Sequence, residues 1–123
     1  LLQAQASKAK VIGLANAGGD TINSIKQAGE FGITAGGQKL AGLLVFLTDV
    51  HSLGLATAQG LVLTESFYWN TNDQTRTWSD RFAKANGGKK PTMVQAGVYS
   101  GMLHYLKAVE AAKSKDSAAV MAK

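Results

Sequence analysis

Three short apolar runs mark the first half of the chain, at residues 10–17, 40–47 and 61–68, each nearly unbroken and each containing Val, Ile or Phe. Runs of this length and composition predict strands, and their continuity predicts strands covered on both faces. Between the first two the pattern takes on a helical period. Asp20 stands at a helix start, Ile22, Ile25 and Ala28 with Gly29 share one face, and Gly32 supplies a stop. Strand, helix, strand predicts a βαβ unit, with parallel strands and a right-handed crossover. The interval 48–60 has room for one short helix with Leu53 and Ala56 facing inward.

The second half is helical in pattern. Asn72 and Asp73 open a segment in which Trp78 and Phe82 stand four apart and Ala85 follows, until Asn86-Gly87-Gly88 stops it. Pro91-Thr92 opens the longest helix, running to about residue 113, with Val94, Val98, Met102, Tyr105 and Val109 as its stripe. Gly97 and Gly101, four apart, would admit a closely packed partner. Asp116 caps a last segment, and residues 1–9 read as the tail of a helix, so the chain has the pattern of a piece of a longer protein. The alternation predicts an α/β fold: a single three-layer α/β/α lobe over residues 1–123 with a mainly parallel sheet. Ligands on such sheets bind at the carboxyl ends of the strands. Here those ends are Asn16-Ala17-Gly18-Gly19, Leu47-Thr48-Asp49 and Phe67-Tyr68-Trp69.

Composition narrows the functions this fold could serve. An apolar content of 46% in 123 residues is enough for one ordinary core. The absence of cysteine excludes disulfides, Cys-ligated zinc and thiol catalysis. Thirteen basic against eight acidic residues give +5, but only two are arginines and the lysines are dispersed. The one local cluster, Lys84 with Lys89 and Lys90, has no interleaved aromatic and reads as a solvated turn, which argues against nucleic acid as a partner.

Catalytic constellations are not convincing. Gly18-Gly19 follows a strand, yet neither a dinucleotide fingerprint nor a phosphate loop surrounds it, so a tight turn is the better reading. Ser100, between Gly97 and Gly101, sits inside a predicted helix and not on the strand-to-helix turn a nucleophile elbow needs. Asp49, His51 and Ser52 supply the residue types of a hydrolytic triad, but such a relay draws its members from separate elements. His51 and His104 lie on different elements without a carboxylate at metal spacing, and no metal or cofactor is implied. Phe67-Tyr68-Trp69 is the most unusual local feature: alternation sends Phe67 and Trp69 one way and Tyr68 the other, either as a rim packed on the Trp78/Phe82 helix or as a wall for a ligand.

The stretch from Ala9 to Asp20, continued by Ile25-Lys26-Gln27-Ala28, resembles the strand, ligand loop and "K/R-Q-A" helix that open the second lobe of type I periplasmic solute-binding proteins. Phe67-Tyr68-Trp69-Asn70, Asn72-Asp73, Trp78-Ser79 and Arg81-Phe82 are similar to the "FYWD…ND…W…RF" stretch of one branch of the Leu/Ile/Val-type receptors of ABC importers. Pro91-Thr92-Met93, Gln95 to Ser100 and His104 to Ala108 continue that branch's pattern. The resemblance implies a binding protein and not an enzyme: two lobes closing on a small solute in the periplasm, with delivery to an inner-membrane ABC permease. This chain would then need the remaining lobe as its partner. Carried over by position, the resemblance places ligand contacts on Asn16, Ala17 and Gly18 and on Leu47, Thr48 and Asp49, with Phe67, Tyr68 and Trp69 as aromatic candidates. Ala17 stands where amino-acid receptors place an aromatic, and Asp49 is the nearest counterpart of their acidic ammonium partner. The resemblance implies a branched-chain or other amino acid as solute, and the departure at Ala17 and Asp49, with Phe67-Tyr68-Trp69, favours an amide, carboxylate or aromatic acid. Two other classes share such a lobe: the effector domain of a transcription regulator, and a small flavodoxin-like enzyme or receiver domain.

Overall fold

A computed structural model describes all residues, Leu1–Lys123. Packing divides them into two compact units, Leu1–Ser66 and Phe67–Lys123. Unit 1 holds α1 (Leu2–Ala6), β1 (Val11–Leu14), α2 (Gly18–Glu30), β2 (Lys39–Gly42), α3 (Leu47–Leu53), α4 (Leu55–Ala58) and β3 (Val62–Leu63). Unit 2 is helical: α5 (Asp73–Ala85), α6 (Met93–Ala112) and α7 (Ser117–Met121).

The α/β class and the parallel sheet are as the sequence pattern requires. The strands lie in the order β1-β2-β3, with Val11 opposite Lys39 and Ala41 opposite Val62. Burial corrects one expectation. The strands are not covered on both faces: Ile12, Leu14 and Leu40 are buried, whereas Val11 is 55% and Val62 55% exposed. Neighbouring strands joined by crossovers of one hand place their helices on the same side of the sheet. Accordingly Ile25 and Ala28 of α2, Ile33 of the following loop and Leu53 of α3 form one cluster with Ile12, Leu14 and Leu40.

The strands are also shorter than the apolar runs. Gly42 ends β2 because the chain must turn there: a Cβ at this position would come within 2.4 Å of Val45 Cγ2, and Val45 is 1% exposed. The turn carries Leu47, Thr48 and Asp49 out of the expected strand end and into the first turn of α3. Similarly β3 stops at Leu63, so Phe67-Tyr68-Trp69 is not a continuation of that strand. The single helix expected over 48–60 is broken into α3 and α4 by Gly54, whose φ of +82° lies in the region open to glycine, and Ala56 consequently faces solvent. Helix α2 starts earlier than Asp20, which falls in its first turn behind an Ala17 N-cap.

Unit 2 follows its capping signals closely. The Asn72 side chain accepts from the Thr75 N–H at 3.0 Å, and the Thr75 hydroxyl accepts from the Asn72 N–H at 3.0 Å. Thr92 does the same work for α6, its Oγ1 accepting from the Val94 N–H while Gln95 Oε1 accepts from the Thr92 N–H. These reciprocal boxes satisfy donors that a helix start otherwise leaves unpaired. Asp116 caps α7 through the Ala119 N–H. Inward on α5 are Ser79 and Ala83; Ala85, expected to follow Trp78 and Phe82 inward, is exposed.

Candidate functional site

In unit 1 the loops after β1 and β2 leave adjacent parallel strands at the same end of the sheet. The β1–α2 loop is held by a directional set of side-chain hydrogen bonds. Thr21 Oγ1 donates to Asn16 Oδ1 at 2.9 Å, Asn16 Nδ2 donates to Ser24 Oγ at 3.1 Å, and Ser24 Oγ donates to the Asp20 carbonyl at 2.8 Å. Because the Ser24 proton goes to Asp20, Ser24 must accept from Asn16, which fixes which end of the Asn16 amide is which. Thr21, 1% exposed, anchors the set from beneath. Asn16 is half-buried and committed to α2, so it shapes the loop while one amide N–H and one oxygen lone pair stay unassigned. Ala17 is extended and offers no side-chain cap to α2. Gly18, with φ at +57°, begins the helix in a conformation that costs other residues about 1–2 kcal/mol. This is the tight turn read from Gly18-Gly19.

After β2, Leu47 and Asp49 are half-buried and Thr48 is exposed. Asp49 Oδ2 accepts from the Phe46 N–H at 2.8 Å, closing the start of α3. One carboxylate oxygen thus has a structural role at a position singled out as a partner for an ammonium group.

The aromatic triplet lies in unit 2, and its alternation is as expected: Phe67 and Trp69 are half-buried and Tyr68 is exposed. Phe67 meets Trp78 edge-on at 5.3 Å between ring centroids, and Trp78 continues to Phe82 at 5.9 Å. Trp69 is covered by the Lys90 Nζ, 4.8 Å from its ring centre. Lys90 also pairs with Asp80, so it is not a freely solvated member of the lysine cluster. That ion pair and hydrogen bond, with a smaller contribution from Lys84, hold the Asp80 carboxyl below its ordinary range. All three rings are therefore engaged within unit 2, Tyr68 lying tilted on Trp69 at 5.8 Å between centroids, and Tyr68, 47% exposed, is the one left most open.

Sequence reasoning named Asn16 but missed Thr21 and Ser24, which hold it. Their signal was present as polar residues at positions 21 and 24 facing the strand on an otherwise apolar helix face. Phe67 alone of the nine expected site residues lines a concavity, one of about 230 Å³ beside Trp78 and Tyr99, and the two largest concavities contain none of them. One, of about 820 Å³, lies at the far end of α2 between Lys26, Glu30 and Thr57. The other, about 600 Å³ and apolar, lies on unit 2 between Trp78, Phe82, Val98 and Met102. No cluster of His, Asp or Glu has the makings of a metal site, and no helix is long and apolar enough to cross a membrane.

A family model described as periplasmic binding protein matches residues 1–123. Among solved structures, a periplasmic binding protein from Burkholderia mallei is 59% identical, with a TM-score of 0.89 over 98% of this chain and 32% of its own. A branched chain amino acid ABC transporter periplasmic ligand-binding protein from Burkholderia xenovorans is 50% identical, with a TM-score of 0.83 and the same coverage. An amino acid ABC transporter substrate-binding protein from Pseudomonas fluorescens is 26% identical, with a TM-score of 0.82 over 97% of this chain and 32% of its own. The chain thus spans about a third of the length of each. Comparison with curated sequences gave no match.

Proposed function

Because this chain belongs to the periplasmic binding protein family, we propose that it is part of the solute-binding component of an ABC importer, working in the periplasm by capture and not by catalysis. The observation that carries this reading is the match over all 123 residues, joined to 50% identity with a structure described as an ABC transporter ligand-binding protein. The solute is a small amino acid, amide or aromatic acid, held between two lobes and released to an inner-membrane permease. Unit 1 offers it the Asn16-Ala17-Gly18 loop and the Leu47-Thr48-Asp49 turn. Parallel sheets present their ligand loops at this end, because strand carboxyl ends open onto helix starts. The remaining N–H and lone pair of Asn16 suit a carboxylate or amide, and the second oxygen of Asp49 suits an ammonium. In unit 2, Tyr68 is the aromatic most available to a solute.

Calorimetry on the longer protein of which these residues form a part, with L-leucine, benzamide and benzoate as probes, tests the reading. Binding of at least one in the micromolar range supports it; a folded protein that binds none, nor any member of a wider amino-acid panel, overturns it. Asp49→Asn then separates the solute classes. A loss of about tenfold or more for leucine, with benzoate unchanged, assigns Asp49 the ammonium.

A further inference from the structure

Helix α6 is apolar around most of its surface and yet buries no residue. Beyond Gln95 near its start and Glu110 near its end, its polar residues are confined to one stripe, Ser100, His104 and Lys107. Val94, Val98, Met102 and Tyr105 form one flank and Tyr99, Leu103 and Leu106 the next; Val98 is 67%, Met102 57% and Leu106 54% exposed. Gly97 and Gly101 continue the first flank, and a Cβ on either would meet nothing within 4 Å. A helix facing water on one side keeps a polar face there, whereas one that is apolar on most sides belongs in an interior. Contiguous exposed apolar surface on this scale is unusual for a free-standing domain. Helix α5 does not supply the cover: its Trp78 stacks on Tyr99 at 5.1 Å between centroids and leaves the groove between Phe82, Val98 and Met102 open.

We propose that α6 is an interior helix of a longer polypeptide, and that its two apolar flanks and its glycine pair are covered by the part of the same protein outside residues 1–123. Two observations select this occupant over a second copy of the chain. At 100° per residue the large apolar side chains of α6 span about half of the helix circumference and the glycines extend the arc further. A single partner laid on one side covers a stripe of roughly 100°, so this helix must be flanked on more than one side, as in a layered core. The three solved relatives also carry about twice as much chain again beyond the matched third, and that is enough to build such layers. The proposal does not depend on the solute or on the residues that hold it.

The chain contains no cysteine, so a single introduced thiol reports on one position. Val98→Cys, Met102→Cys and Leu106→Cys are compared with Lys107→Cys, on the polar stripe, by maleimide labelling of the native longer protein. The first three should label about 100-fold or more slowly than the last, as expected for sites reached only by opening of the structure. In the 123-residue chain all four should label at similar rates. Oxidation of Met102 by dilute peroxide makes the same comparison on the unsubstituted protein, fast in the 123-residue chain and slow in the longer one, and removes any dependence on variant folding. Equal rates at Val98→Cys and Lys107→Cys in the folded longer protein, with equal Met102 oxidation in both, would overturn the proposal. So would protection of Val98→Cys in the 123-residue chain that grows with its concentration, since the occupant would then be a second copy.

Discussion

The two units spend similar apolar content differently. In unit 1, Ile12, Leu14, Ile25, Ala28, Ile33, Leu40 and Leu53 close on each other and leave the far side of the sheet, with Val11 and Val62, open. In unit 2 the longest and most apolar helix fully buries none of its residues, while the shorter α5 tucks in Ser79 and Ala83. The difference shows that apolar pattern specifies that a surface will be covered, but its partner is a matter of topology. A βαβ unit brings its own cover, since the crossover returns each helix to the sheet it came from; a helix following a helix has no such guarantee.

The contrast breaks most sharply under truncation of large side chains. Leu40→Ala should lower the stability of unit 1 by about 2–5 kcal/mol, as for other buried leucines, while Met102→Ala in the 123-residue chain should change it by no more than about 0.5 kcal/mol. Urea denaturation followed by circular dichroism checks both; comparable losses would mean that α6 is packed after all. Next in size is Gly42→Ala, whose new methyl meets Val45 at 2.4 Å. Overpacking of this kind costs about 1–3 kcal/mol, and Gly97→Ala, with open space around it, should instead leave the 123-residue chain unchanged or slightly more stable. Asn72→Ala removes the acceptor for the Thr75 N–H and should destabilise α5 by about 1 kcal/mol, visible as faster amide exchange in its first turn.

The smallest effect concerns acid. A carboxylate whose folded-state pKa is lowered adds stability above its unfolded value and loses it as the pH falls through the folded one. The Lys90 hydrogen bond and charge lower Asp80 in this way, so the Lys90 contact with Trp69 should persist below pH 3.8, the ordinary value for an aspartate, and be lost only under stronger acid. The indole N–H resonance of Trp69 followed by NMR gives the transition, and Asp80→Asn should abolish it.

How much of this could be read in the sequence depended on how local the deciding interaction is. Helix α6 was legible from Thr92 to Lys113 because its cap is built from Thr92 and Gln95 and its stop from Lys113, which adopts a left-handed conformation. Strand lengths were not legible, since β2 ends at Gly42 through a contact with Val45 that an apolar run does not reveal. For the same reason Leu47, Thr48 and Asp49 were read as a strand end: Phe46 to Asp49 is a helix start closed by a carboxylate reaching back three residues, hidden among apolar neighbours. Asn16 was found from its place after β1, but its fixed orientation depends on Thr21 and Ser24, one and two turns into the next helix.

The strand order of unit 1 also bears on how the chain acquires its structure. Each strand pairs with the one made just before it, β2 on β1 and β3 on β2, with a helical stretch between. Among these three strands none must wait for a distant segment, so loop closure between them stays short and β2 and β3 can add in turn to β1. A polypeptide emerging from a narrow exit in an extended state could settle β1, α2 and β2 before β3 appears. The last strand, two residues long, would then lock onto an edge already in place.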